Sequence, residues 1–94
     1  MYFTYILISY DRKKTYTGST NDVDRRLEEH NSGKNKFTKA FRPFEMLHLD
    51  RFDTLREAIQ MEKFYKSITG RRRIKGFIEQ WKITSGESAT KITS

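Results

Sequence analysis

The most apolar stretch of this chain lies at its start, in residues Tyr2–Ser9. Its sequence, YFTYILIS, is rich in β-branched and aromatic side chains, which predicts a β-strand. A charged turn at residues 11–14 separates it from a second short strand at residues 15–18, and together they predict an antiparallel hairpin. This turn is longer than the tight two-residue type, which leaves the register of the hairpin open.

A helix is predicted after the hairpin. Residues 19–22 (STND) are types that cap helix N-termini, residues 23–30 follow a helical pattern, and Asn-Ser-Gly at 31–33 is a typical helix stop. Residues 32–44 carry four cations and no acid, which predicts a basic loop or short helix that ends at Pro43, the only proline.

One more strand and two more helices complete the prediction. Residues 44–52 alternate partly at period two, as a strand does. Thr54, followed three residues later by a glutamate, forms a capping box for a helix over residues 55–68, which Gly70 is expected to end. Apolar residues at 74, 77, 78 and 81 have the spacing of a last amphipathic helix. The order β-β-α-β-α-α predicts an α+β fold, a small three-stranded antiparallel sheet flanked by helices.

Composition limits the function. The chain has 94 residues, enough for one domain, which we place at residues 1–82, and we expect the small polar residues 83–94 to form a disordered tail. The net charge of +7 favours a polyanionic partner, nucleic acid before an anionic membrane surface.

The absence of cysteine excludes disulfide, thiolate and zinc–thiolate chemistry. There is no membrane-spanning run and no secretory signal at the start, so we expect a cytoplasmic protein.

Two side chains on the helix after the hairpin could handle phosphate. Arg26 and His30 are four residues apart, so they lie one above the other, on the face that also carries Val23 and Leu27. The alternative is that Arg26 snorkels from an apolar face and that His30 caps the helix C-terminus.

An acid and two tyrosines are further candidates. Glu62 falls at the edge of the apolar stripe of its helix, where a metal ion or a cationic partner would compensate its burial. A salt bridge to a lysine or arginine is the commoner outcome, and Glu57 also borders apolar residues. Tyr5 and Tyr16 lie on the two strands of the hairpin, where tyrosines are ordinarily core residues or cross-strand pairs. A tyrosine hydroxyl that faces a metal and a cation could instead act as a base or nucleophile.

Together these residues resemble the ordered signature of the GIY-YIG nucleases. The matching positions are Phe3-Thr4-Tyr5, Tyr16-Thr17-Gly18, Arg26, His30 and Glu62. The resemblance spans about residues 2–78, and the segments at 16–33 and 57–63 are similar to small stand-alone members of the family. Phe3 and Thr4 replace the first Gly and Ile of the signature and Thr17 replaces the second Ile, all at backbone-packing positions. No asparagine follows Glu62, although some members use one near the metal.

The resemblance implies a metal-dependent endonuclease that hydrolyses phosphodiester bonds of DNA, including structured or damaged DNA. It implies that Glu62 ligates one divalent metal, Mg²⁺ or Mn²⁺, a hard cation that needs only one or two protein carboxylates. Arg26 would bind the scissile phosphate. Tyr5 would take a proton from the attacking water, while Tyr16 and His30 would orient that network and His30 could relay the proton.

Ten further cations are predicted to contact the nucleic-acid backbone. They are Lys34, Lys36, Lys39, Arg42, Lys63, Lys66, Arg71, Arg72, Arg73 and Lys75. These cations, with Phe37 and Phe41 between them, would equally suit a non-catalytic nucleic-acid-binding protein, which is the alternative function. For residues 71–75 a solvated helix face is the alternative interpretation. A small RNA- or ribosome-associated protein is a third possibility. RNA as the partner and the oligomeric state stay open, and no membrane partner is expected.

Overall fold

The computed structural model describes residues 1–12, 14–36 and 38–84. The elements are β1 (Tyr2–Ser9), β2 (Thr15–Thr20), α1 (Val23–Ser32), a short 3-10 helix (Lys39–Phe41), β3 (Phe44–Phe52), α2 (Leu55–Tyr65) and α3 (Ile68–Thr84). Their order and the three-stranded antiparallel sheet confirm the predicted α+β fold.

Strand β1 is the middle strand of the sheet, whose order is β2-β1-β3. Both neighbours are antiparallel to it, so that Tyr5 lies opposite Gly18 of β2 and Leu49 of β3. Every β1 residue from Thr4 to Ser9 is buried. This burial follows because helices cover both faces of the sheet, and the side chains of a strand alternate between the two faces.

The alternation along β1 divides the core into two clusters. On the face that α1 covers, the cluster consists of Tyr5, Leu7 and Phe44, with Tyr16, Leu27, Phe41 and Met46 packed against it. On the opposite face, it consists of Ile6, Tyr65 and Ile74, with Leu47, Met61, Phe64, Phe77 and Ile78 packed against it. Ile74, Phe77 and Ile78 of the apolar stripe predicted for the last helix therefore face the second cluster.

The predicted helix ends are largely confirmed. Asp22 is the N-cap of α1, where its side chain accepts a hydrogen bond from the Arg25 amide at 3.1 Å. Gly33, with a left-handed φ of 86°, closes the same helix. Thr54 caps α2, accepting a hydrogen bond from the Glu57 amide at 3.2 Å and donating its own hydroxyl to the Glu57 carboxylate at 2.9 Å.

The predicted role of Gly70 was wrong. Helix α2 already ends at Tyr65, and α3 begins at Ile68, so Gly70 lies inside the first turn of α3. A Cβ at Gly70 would lie 1.9 Å from the carbonyl oxygen of Phe64. The glycine thus allows α3 to start directly against the end of α2. A glycine can break a helix, but here its lack of a side chain permits close packing instead.

The C-terminal boundary stays a prediction. Helix α3 continues to Thr84, and residues 85–94 of the predicted tail lie outside the described residues, as does Phe37. Within the described ranges, no helix combines the length and apolar character needed to span a bilayer.

Asn31 ties the end of α1 to the start of β3. Its side-chain oxygen accepts a hydrogen bond from the Phe44 amide at 2.6 Å, and its side-chain nitrogen donates to the Phe44 carbonyl at 3.1 Å. The side-chain amide therefore pairs with Phe44 much as a neighbouring strand would. This pairing holds together the two ends of the basic loop, residues 33–43.

We expect Gly70→Ala to lower the free energy of unfolding by about 1–3 kcal/mol, the usual cost of overpacking. The new Cβ would overlap backbone atoms of Phe64 and Tyr65, which can move only if the end of α2 shifts. Gly76→Ala is the matched control, because Gly76 lies in the same helix and a Cβ there meets nothing within 4 Å. That variant should gain roughly 0.5–1 kcal/mol. Urea denaturation measures both, and equal effects would contradict the packing role of Gly70.

Candidate active site

The hairpin of β1 and β2 places two tyrosines on one face of the sheet. Tyr16 lies opposite Leu7, two residues along β1 from Tyr5, so both tyrosines share the face that α1 covers. Their ring centroids are 6.1 Å apart. A Cβ at Gly18 would lie 2.6 Å from the Tyr5 hydroxyl oxygen. The glycine of the second motif therefore makes room for the Tyr5 ring.

Helix α1 brings Arg26 and His30 to the Tyr5 hydroxyl. The Arg26 Nε donates to that oxygen at 3.4 Å, and the His30 Nε2 lies 3.3 Å from it. The other ring nitrogen of His30 lies 2.9 Å from the Thr38 hydroxyl. All these contacts are satisfied when Tyr5 donates to Nε2 of a neutral His30 whose Nδ1–H donates to Thr38. His30 thus points into the core and does not cap the helix.

Burial dominates the electrostatics of this network. Tyr5 is 1% exposed, and burial raises its pKa above the ordinary value despite the lowering effect of Arg26. Burial, followed by the charge of Arg26, lowers the pKa of His30. The hydrogen bond to Tyr5 raises the pKa of Arg26. At neutral pH the site therefore holds a neutral phenol, a neutral imidazole and a guanidinium cation.

Arg26 is held from two sides. Its Nη1 donates to the Glu29 carboxylate at 2.6 Å, and this hydrogen bond lowers the pKa of Glu29. The Arg26 side chain is 30% exposed. Among the residues that the structure describes, none binds the second terminal nitrogen, so one side of the guanidinium can receive an anion such as phosphate.

Glu62 lies on α2, across β2 from the tyrosines. One carboxylate oxygen accepts a hydrogen bond from the Ser19 hydroxyl at 2.7 Å, and the other accepts one from the Lys66 ammonium at 2.8 Å. The commoner outcome for this acid, a salt bridge to a lysine, is therefore present. The negative charge of Glu62 also acts on Tyr5 across the strand, because it adds to burial in raising the pKa of Tyr5.

A cleft of about 240 Å³ opens between β2 and the start of α3. Its lining residues are Thr15, Tyr16, Thr17, Tyr65, Lys66, Arg71 and Ile74. The cleft therefore joins Tyr16 to Lys66, the cation that pairs with Glu62. Two positive charges, on Lys66 and Arg71, would attract an anionic ligand into it.

The surroundings of Glu62 fit a hard divalent cation with few protein ligands. In the described part of the chain, no three His, Asp or Glu side chains lie close enough together to hold a metal ion. Mg²⁺ usually keeps several waters and binds through one or two carboxylates. Ser19 fixes one oxygen of Glu62, and the other is paired with Lys66, whose side chain is 58% exposed. Glu62 could therefore hold such a cation once the ammonium moves away.

All ten cations predicted to contact nucleic acid are exposed, and they form two groups. The first group, between α1 and β3, is Lys34, Lys36, Lys39 and Arg42. The second group, on α2, α3 and their junction, is Lys63, Lys66, Arg71, Arg72, Arg73 and Lys75. Arg73 also lies over the Phe64 ring, 5.6 Å from its centroid. Phe41, which lies between cations of the first group, packs against the core.

Two hydroxyl groups of the site are not evident from the sequence. Ser19 belongs to the predicted N-cap cluster, yet it lies in β2 and binds Glu62. Extending the strand alternation two residues past Thr17 would have placed Ser19 on the face that α2 covers. Thr38, which binds His30, is buried within the basic loop, and no local pattern marks it.

A comparison with protein families identifies the family of the chain. The family described as the GIY-YIG catalytic domain matches residues 1–75. These residues include both tyrosines, Arg26, His30 and Glu62. The chain therefore belongs to the GIY-YIG family, as its sequence signature predicted.

Within that family, the chain is similar to small UPF0213 proteins. A UPF0213 protein of Bacillus velezensis is 41% identical over 80 residues, which cover 84% of this chain and 79% of the relative. The UPF0213 protein YazA of Bacillus subtilis is 39% identical over 73 residues, covering 77% and 73%. The solution NMR structure of the UPF0213 protein BH0048 from Bacillus halodurans is 35% identical, covers 81% of this chain and 84% of that one, and has a TM-score of 0.48.

We expect the buried, neutral His30 to make the protein less stable in acid. Because burial lowers its pKa in the folded protein, the unfolded chain binds the proton more tightly. The stability that this residue contributes is complete above the ordinary histidine pKa of about 6.5 and is lost as the pH falls toward the lowered value. Urea denaturation at about pH 7.5 and about pH 5.5 should therefore show a smaller loss for His30→Gln than for the wild type.

The control is His48→Gln, because His48 is partly exposed and pairs with Asp50 at 2.9 Å. This variant should not reduce the acid-induced loss of stability. If His30→Gln keeps the full loss, His30 is not the buried neutral group.

Proposed function

We propose that this protein is a metal-dependent endonuclease that hydrolyses phosphodiester bonds of DNA. The observation that carries the proposal is the convergence of Arg26 and His30 on the Tyr5 hydroxyl, with Glu62 held across the same edge strand. A core tyrosine needs only one partner for its hydroxyl, whereas this one contacts a cation and a titratable ring. Membership of the GIY-YIG family and the net charge of +7 support a nucleic-acid substrate.

Glu62 and Arg26 would supply the electrostatic part of catalysis. Glu62 would hold one Mg²⁺ or Mn²⁺, which when bound polarises a phosphoryl oxygen and activates water. Arg26 would bind a phosphate oxygen through the side of its guanidinium that Tyr5 and Glu29 leave open. Both groups stabilise negative charge as it develops on the phosphoryl group.

The exposure of the two tyrosines leads us to assign the contact with the attacking water to Tyr16. Tyr5 is 1% exposed, whereas Tyr16 is half-buried and lines the cleft. Tyr5 would instead orient Arg26 and His30 through its hydroxyl, which contacts both side chains. The Tyr16 ring packs on the His30 ring at a centroid distance of 4.5 Å, which holds Tyr16 beside the Tyr5–His30 pair.

The two groups of surface cations would hold the nucleic-acid backbone on either side of the site. A non-catalytic binding protein is the competing function, because those cations would serve binding alone. We place the enzyme in the cytoplasm. Structured or damaged DNA is the proposed substrate, and cleavage of RNA should be measured beside it.

The purified protein should cleave labelled nicked or branched DNA in the presence of Mg²⁺ or Mn²⁺ and not in EDTA. Glu62→Gln, which keeps the size of the side chain but removes its charge, should slow cleavage by about 10²–10³-fold. Gel-based single-turnover rates measure this loss. DNA binding without product at any metal concentration would favour the non-catalytic binder, and robust cutting by Glu62→Gln would contradict the assigned site.

Tyr16→Phe should slow cleavage by about 10²–10⁴-fold, the usual contribution of acid–base groups, and leave the melting temperature unchanged. Tyr5→Phe should lower both the rate and the melting temperature, because Arg26 and His30 would lose their shared partner. Tyr10→Phe is the matched control, since Tyr10 is 69% exposed in the turn after β1. Cleavage at wild-type rates by either site variant would contradict these roles.

A further inference from the structure

Lys66 occupies the side of Glu62 at which a metal would bind. Its ammonium donates to Oε2 of Glu62 at 2.8 Å, while Ser19 holds Oε1 at 2.7 Å. The backbone of Lys66 is fixed, because its amide closes α2 by donating to the Glu62 carbonyl at 3.2 Å. The side chain is 58% exposed. It can therefore leave the carboxylate without disturbing the helix.

The ion pair between Lys66 and Glu62 is of the kind that breaks readily. Exposed lysine–glutamate pairs four residues apart on a helix contribute little to stability, because water screens them and the lysine loses side-chain freedom. A divalent cation carries twice the charge of the ammonium and would compete for the same carboxylate oxygen. Both cations at that oxygen would repel each other, so binding of one disfavours the other.

The cleft offers Lys66 a second partner. Lys66 lines it together with Tyr16 and Arg71, while its ammonium pairs with Glu62. A nucleic-acid phosphate in the cleft would attract the ammonium that a metal displaces from Glu62. The same displacement would therefore free the metal ligand and add a cation to the substrate site.

We infer that Lys66 is an internal cation that competes with the divalent metal for Glu62 and thereby couples metal binding to nucleic-acid binding. The inference rests on the proposed function in taking Glu62 as the metal ligand. Because coupling between two ligands is reciprocal, metal tightens the binding of nucleic acid and nucleic acid tightens the binding of metal.

The first test measures binding of Mn²⁺ alone to the full chain by electron paramagnetic resonance. Lys66→Met keeps the apolar stem and removes the competing charge, so it should bind Mn²⁺ about fivefold more tightly than the wild type. Lys66→Arg keeps the charge and should bind like the wild type. Arg56→Met removes one positive charge from the same helix, six residues before Glu62, and controls for the net charge. Glu62→Gln should abolish the site.

Equal Mn²⁺ affinities for Lys66→Met and Arg56→Met would overturn the inference. So would Mn²⁺ binding that Glu62→Gln does not weaken. These readouts do not depend on cleavage. A protein that binds Mn²⁺ in this way but never cuts DNA would overturn the proposed nuclease function and leave the competition intact.

The second test measures the coupling with fluorescently labelled phosphorothioate DNA that resists cleavage. Mn²⁺ should tighten DNA binding by the wild type, because it releases Lys66 into the cleft. Lys66→Met should lose this gain, whereas Arg56→Met should keep it. A gain of equal size in Lys66→Met would overturn the coupling.

Discussion

The burial of β1 on both faces is the constraint on which the rest of the structure depends. Its side chains enter both core clusters, so the helices on either side of the sheet are positioned by the same strand. Thr4 contributes directly, since its buried hydroxyl donates to the Ala58 carbonyl of α2 at 2.6 Å. Tyr5, the next residue, makes the contacts with α1. Adjacent residues of one strand therefore fix the two helices that carry the candidate catalytic groups.

A second set of contacts fixes the helix that carries Glu62. The Tyr65 hydroxyl, at the end of α2, donates to the Asp50 carboxylate of β3, which also binds the His48 ring at 2.9 Å. Burial, with the hydrogen bond to Asp50, raises the pKa of Tyr65, so its hydroxyl stays a neutral donor. The last turn of α2 is thus held to the far strand of the sheet, and the carboxylate of Glu62 is held at the near one by Ser19.

Periodicity predicted the elements well because the sheet and the helices bury regular faces. It could not predict the role of Gly70, which depends on a contact with the Phe64 carbonyl of the preceding helix. The helical wheel placed Glu62 at the edge of an apolar stripe, but a wheel cannot show that Lys66 would pair with it. Ser19 was assigned to a helix cap because a strand end and a cap favour the same small polar residues. Order along the chain selected the candidate site residues, while their hydrogen-bond partners depend on the folded geometry.

The arrangement of Gly18 and Ser19 has a consequence for when the candidate site can form. These neighbours on β2 serve opposite faces of the sheet, since Gly18 makes room for Tyr5 and Ser19 binds Glu62. The two halves of the candidate site are therefore separated only by the thickness of one strand, yet each requires a different helix to dock. A nascent or partly unfolded chain with one helix in place therefore holds at most half of the candidate site. The candidate groups come together only when both helices have docked on the sheet.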